Sequence, residues 1–455
     1  MRVFFTSMMT ALMRKDPHNY DEVCLDYCAA GLTEEALALW NVAEKEGAVT
    51  PMTYYYMGMA LLANGNEEKA RESFKKAQEI SSECCFPHRQ EAAIALSMAM
   101  EIDSQDALAP FLLGNLYYDK RQYDIAVDCW EKSLNLNPEN PTVWRNLALA
   151  YFNKRGDSSK ALEYMERAFS LDDSDARILM ELDQLYKRMG RNHAERLELL
   201  EKYPDLVEGR DDLKLEKGTL LNQVGRYSEA AEYLDSHIFH PWEGGEGKVP
   251  AQYQISRVEM AKKLLAEGEA QKAEKILLEC LEYPHHLGEG KLHGAQENDF
   301  YFLLGMAADM MGDREKAVDY WRKGTVGPEE PADSLYYNDA KPDKIFYAGL
   351  CWRALGEENN ALRLFNRLVS YGKQHLHDTV KMDYFAVSLP DLLIWDENLN
   401  TRNKIHCKYM LALGYAGLGD EKYSARYSKE AAELNANHQG LMALHSLKAY
   451  NLTHS

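Results

Sequence analysis

The sequence has no stretch of about eighteen unbroken apolar residues, so nothing in it reads as a membrane-spanning helix. Basic residues are in deficit: 52 Lys and Arg against 72 Asp and Glu leave a formal charge of −20. That argues against a general binder of nucleic acid or anionic membrane, whose phosphates need basic surface. Cysteine is sparse, with 8 residues scattered over 455. This excludes a disulfide-stapled secreted domain and fits a reduced, cytoplasmic setting. An apolar run from Val3 to Met13 follows Arg2, but no small-x-small cleavage site comes after it and Arg14 and Lys15 close it. It reads as an amphipathic helix and not as a cleaved leader.

Catalytic signatures are missing as well. Gly245-Glu246-Gly247-Lys248 lacks both the spacing and the following Ser or Thr of a phosphate loop. There is no strand–turn–helix setting for a dinucleotide fold and no His-Glu-x-x-His. Cys24 with Cys28, and Cys84 with Cys85, lack zinc spacing and read as small core residues. His375, His377 and Asp378 are neighbours in sequence only, which is weak ground for a metal site. No cofactor or metal is expected, and binding is favoured over catalysis.

What is present is a repeat. Ala36, Ala70, Ala126 and Ala161 are each followed four residues on by a large apolar residue: Trp40, Phe74, Trp130 and Met165. Three residues further comes a small one: Ala43, Ala77, Ser133 and Ala168. Ala36 and Ala70 are 34 residues apart. Upstream lie Tyr54-x-x-Met57-Gly58-x-x-Leu61 and Trp144-x-x-Leu147-Ala148-x-x-Tyr151. Small residues let two helices approach, and a bulky one a turn away fills the groove beside them. One such hairpin cannot bury both its faces, so hairpins must stack. The columns resemble the tetratricopeptide repeat (TPR), W-x2-L-G-x2-Y…A-x3-F…P. The expectation is an all-α solenoid, a right-handed superhelix of about ten helix–turn–helix units, with no convincing strand alternation. Pro87 to Asp103 reads as a lone helix that has lost its partner.

Two parts are expected: a regular array over 1–209 and, over 210–455, an array interrupted by long polar insertions. The insertions run over 238–252, 283–299, 327–343 and 372–403. Gly245-Glu246-Gly247-Lys248-Val249-Pro250-Ala251-Gln252 recurs as Gly288-Glu289-Gly290-Lys291-Leu292-His293-Gly294-Ala295-Gln296, with one residue added. Insertions in a repeat array map to one face, often the binding face. Candidate ligand-binding residues are therefore His240, Trp242, Glu246, Lys248, Gln252, Glu289, Lys291, Gln296, Asn298, Asp299, Tyr337, Asn338, Asp339, Asp383, Tyr384 and Asp391. Aromatic rings beside carboxylates and amides suit a sugar or a peptide. The bland reading has Glu and Lys ordering their own loops and the aromatics, Trp395 included, capping neighbouring helices.

Four segments carry a narrower resemblance: His240 to Lys248, Gly294 to Asp299, Tyr336 to Asp339 and Asp383 to Leu393. They resemble the C-terminal half of a bacterial domain-of-unknown-function family in which a mutarotase-like β-sandwich precedes a TPR array. That resemblance implies carbohydrate metabolism, although the β-rich half has no counterpart here. Phe4, Met8, Met9 and Leu12 form an apolar stripe at helical spacing. Residues 1–15 are thus expected to meet a β-rich neighbour or another chain. The functional expectation is a non-catalytic scaffold that binds a partner protein or peptide on its concave face and inserted loops. The alternative is a helical accessory half whose loops contact a glycan.

Overall fold

Pro17, Pro51 and Pro141 each open a helix, where a missing N–H costs nothing, and Asp16, Thr50 and Asn140 cap the same helices with side-chain oxygens. Gly31 and Gly65 take positive φ at the turns inside the first two hairpins. These signals recur along a computed structural model that describes residues 10, 12–242, 244–333, 339–381 and 394–453. Among the described residues every regular element is helical, so the all-α, TPR-type expectation holds.

The chain divides into two units, up to Asp173 and from Ser174. The first unit pairs α1 (Pro17–Ala29) with α2 (Thr33–Glu46) and α3 (Pro51–Ala63) with α4 (Glu67–Glu79). The lone helix α5 (Gln90–Ile102) follows and packs on α3 and on the next first helix. That helix is α6 (Leu108–Asp119), paired with α7 (Tyr123–Leu136); α8 (Pro141–Asn153) and α9 (Ser158–Leu171) complete the unit. The second unit begins with α10 (Ala176–Arg188), α11 (His193–Lys202) and the short α12 (Pro204–Glu208). Five hairpins follow: α13 (Asp211–Gln223) with α14 (Tyr227–Asp235), α15 (Lys248–Ala266) with α16 (Ala270–Glu279), α17 (Asn298–Met310) with α18 (Arg314–Gly324), α19 (Pro342–Ala354) with α20 (Glu358–His375), and α21 (Leu399–Gly417) with α22 (Glu421–Leu434). The helix α23 (Gln439–Ala449) ends the unit.

One packing device repeats through both units. A glycine on the first helix leaves a niche for a ring on the second: Gly58 for Phe74, Gly114 for Trp130, Gly305 for Trp321 and Gly349 for Phe365. A Cβ on any of these glycines would lie within 2.5 Å of the ring. The rings are also fixed in orientation. Trp130 Nε1 donates to the Phe111 carbonyl and Trp321 Nε1 to the Phe302 carbonyl, both at 3.2 Å and both nineteen residues upstream. Ala36, Ala70, Ala126 and Ala161 are fully buried, as the repeat columns require.

In the first unit Asp21 sits in the core and accepts from Trp40 Nε1 at 2.9 Å and from Thr53 Oγ1 at 3.1 Å. Burial outweighs both donors and pushes its carboxyl up to about 7. The folded state therefore holds a proton that the unfolded chain releases near its ordinary value of 3.8. Stability should fall as pH rises from about 4 to 7, by up to about 4 kcal/mol, and stay level above that. Urea titrations of the full chain across this range check it. The Asp21→Asn variant should lack this component of the pH dependence.

One expectation is corrected. Cys84 is not a core residue; it lies exposed at a turn with φ of 56°. Trp395 of the fourth insertion lies against the helix α10, in line with the capping reading of these aromatics. It is 1% exposed and its Nε1 donates to the Glu181 carbonyl at 2.9 Å. Of the N-terminal stripe, Phe4, Met8 and Met9 lie outside the described residues, while Leu12 is exposed.

Candidate functional site

All four insertions enter the N-terminal end of a first helix: α15, α17, α19 and α21. The first three insertions touch in succession. The Phe239 N–H donates to the His286 carbonyl at 2.8 Å, and the Gly247 N–H donates to Glu289 Oε2 at 2.8 Å. Gly288 has φ of 77°, and a Cβ there would come within 2.4 Å of the Phe239 carbonyl oxygen, so only glycine fits this crossing. Burial raises the Glu289 carboxyl, against the pull of the Gly247 N–H. The next pair is joined by Gln296, which donates to the Asp339 carbonyl at 3.2 Å and accepts from the Lys341 N–H at 3.1 Å.

Within this framework the candidate residues take separate roles. His240 Nδ1 and its own N–H both reach Asp211 Oδ2. Trp242 packs on a small apolar cluster of Leu215, Phe239, Val249 and Tyr253, with Gly245 against its ring. Glu246 and Lys248 are exposed. Lys291 donates to the Leu281 carbonyl at 2.7 Å and pairs with Glu297. Asn298 is buried and donates to the Gly324 and Val326 carbonyls. Asp299 is buried in an ion pair with Lys344. Gln252 is buried; its Oε1 accepts from Asn222 Nδ2 at 3.1 Å, and its amide exchanges two hydrogen bonds with Gln439. Tyr337, Asn338, Asp383, Tyr384 and Asp391 lie outside the described residues.

The second unit closes on itself. Asn437, in the turn before α23, donates to the Lys187 carbonyl at 3.0 Å, and its Oδ1 meets His193 Nε2 at 2.9 Å and Arg196 Nη1 at 3.3 Å. Its carbonyl accepts from Gln223 Nε2 at 3.2 Å. Arg196 is fully buried and forms a two-pronged pair with Asp183 at 3.0 and 2.7 Å, then reaches Glu216 at 2.6 Å. The turn before α23 is thereby clasped to α10, α11 and α13.

This closure makes a recess of about 290 Å³. Its walls come from the first helices α13, α15, α17, α19 and α21, with α23 along one side. Among the described candidate residues Asp299 is the one that lines it; Gln252 lies just behind, through Asn222 and Gln439. The sequence reading missed the rest of the lining, notably Asn222, Glu259, Lys262, Lys344 and Tyr409. One signal was available. Glu259 and Lys262 fall among Ser256, Val258, Ala261 and Leu265 on a buried helix face, and charges in such a stripe demand partners.

Comparison with known proteins agrees with the hairpins. A TPR repeat model matches residues 114–154, and a tetratricopeptide repeat model matches residues 53–84. The chain carries tetratricopeptide repeats. It is similar to human RNA polymerase II-associated protein 3, at 26% identity over 199 residues, covering 40% of this chain and 27% of that protein. It is similar to the peroxisomal targeting signal receptor of Candida glabrata, at 27% identity over 135 residues, covering 29% of this chain and 22% of the receptor. Among solved structures, YrrB, a TPR protein with an unusual peptide-binding site, aligns at a TM-score of 0.29 and 16% identity over 51% of this chain and 91% of its own. The TPR chain thus spans about a quarter of the length of these two curated relatives. Among the described residues no helix is long and apolar enough to cross a membrane.

Proposed function

We propose that the chain is a non-catalytic scaffold that holds a partner protein or peptide against its first-helix faces and the loops that precede them. The observation that carries this reading is the convergence of five successive first helices on one recess. Extended concave surfaces are what stacked hairpins offer a partner. The names of the relatives, an RNA polymerase II-associated protein and a targeting signal receptor, are in keeping with binding roles. The acidic surface favours a partner with basic patches.

A benzophenone side chain placed in cells at Ile255, which lines the recess, should crosslink to a partner after irradiation. The same group at Lys275, exposed on α16, should give little product. Equal yields at both positions, or none at either, would contradict the reading. A second reading rests on the resemblance of the C-terminal segments and on the hydrogen bonds that join neighbouring insertions. It assigns Glu246, Lys248, Glu289, Lys291 and Asp339 to contact with a glycan. Loss of glycan binding in a folded Glu246→Ala, Lys291→Ala variant is its test.

A further inference from the structure

The recess contains unmet acceptors. Asn222 and Glu259 are 3% and 4% exposed and both line it. Asn222 Oδ1, Gln223 Oε1 and Glu259 Oε2 are buried and meet no donor among the described residues. Leaving such atoms without a donor is costly. Two of the nearby ammonium groups are already engaged. Lys262 donates to Glu259 Oε1 at 2.7 Å, to the Ala443 carbonyl at 3.0 Å and to Ser446 Oγ at 3.2 Å. Lys344 is paired with Asp299. The charges of the lining balance, with Glu259, Asp299 and Asp343 against Lys262, Lys341 and Lys344. Burial holds His438 down near 4, so it adds no charge at neutral pH.

The acceptors form two groups. Asn222 is bonded to Gln252, which lies seven residues before Glu259 on α15. Seven residues along a helix is about 10 Å. The wall also carries Tyr227, Phe300, Phe346, Tyr347 and Tyr409, aromatic residues whose faces attract cations and whose bodies cover methylenes. A primary ammonium brings three N–H donors and no acceptor, which is the complement of these oxygens.

We propose that the recess of the second unit binds an elongated ligand bearing primary ammonium groups, one held at Glu259 and a donor end at Asn222 and Gln223. The chemistry fits a free linear diamine or polyamine, and equally a lysine side chain with its peptide N–H. The site goes beyond the scaffold reading, because a free amine can occupy it whether or not a protein docks.

Calorimetry and thermal melting of the full chain test it, with diaminobutane, diaminooctane, octanediol and an acetylated Ala-Lys-Ala amide as probes. Diaminooctane, long enough to reach both groups, should bind more tightly than diaminobutane and raise Tm, while octanediol should not. Binding of the peptide but not of the diamines assigns the ammonium to a lysine side chain; the reverse assigns it to a free amine. Glu259→Gln should weaken the amine that binds by about ten-fold or more. Gln223→Glu, which adds a carboxylate at the other end, should strengthen it, and decides the matter if the first variant does not fold. Failure of every amine probe to bind at millimolar concentration overturns the proposal and leaves water as the recess's occupant. So does equal binding of octanediol, or affinity unmoved by Gln223→Glu.

Discussion

Replacing Arg196 by leucine should cost the second unit about 3–5 kcal/mol. The guanidinium is fully buried, and its removal strands Asp183, itself 1% exposed, without a counter-charge. It also removes a hydrogen bond from Asn437, so the clasp that brings the end of the unit back to its start is loosened along with the ion pair. Guanidinium titration of the full chain should show the transition of this unit moved to lower denaturant. The double variant Arg196→Leu, Asp183→Leu should recover most of the loss, because the penalty lies in the unpaired charge rather than in the absence of the pair. The same cluster gives a second signature in acid. Burial would raise the Glu216 carboxyl, but Lys187 and Arg196 override it and hold it down near 2. Its contribution is complete above the ordinary value of 4.5 and is lost as pH falls from there toward 2.

Trp321→Ala should be comparably severe, at about 3–5 kcal/mol. The ring is 1% exposed, fills the niche above Gly305 and bonds the Phe302 carbonyl. Gly305→Leu should also destabilise, by overpacking the same contact. The pair of results separates this interlock from a merely apolar surface, on which the smaller change would be tolerated. Thermal melts of both variants check it.

The hairpins were legible because each is written in local spacing. Ala36, Trp40 and Ala43 fall four and three residues apart, and all three are fully buried. The insertions were legible as interruptions of that spacing, and their duplication announced the neighbours that Gly247 and Glu289 join. What joins distant stretches was not. Asn437 looks like an ordinary helix-linking residue, and its partners His193 and Arg196 lie 244 and 241 residues upstream. Trp395 stood in a polar insertion, yet it is buried and bonds a carbonyl 214 residues away. The recess follows from that closure, which explains why, of the described candidates drawn from the insertions, only Asp299 lines it. Residues on first helices, such as Asn222 and Glu259, face it because stacking turns successive first helices inward, and no spacing within one repeat announces what five of them enclose.

The most direct measurement is a crystal structure of the full chain grown with whichever amine probe binds, diaminooctane or the lysine peptide. The account predicts a ligand nitrogen within about 3 Å of Glu259 Oε2 and its other end beside Asn222 and Gln223. Amine bound only outside the recess, or water alone beside those oxygens, would contradict it.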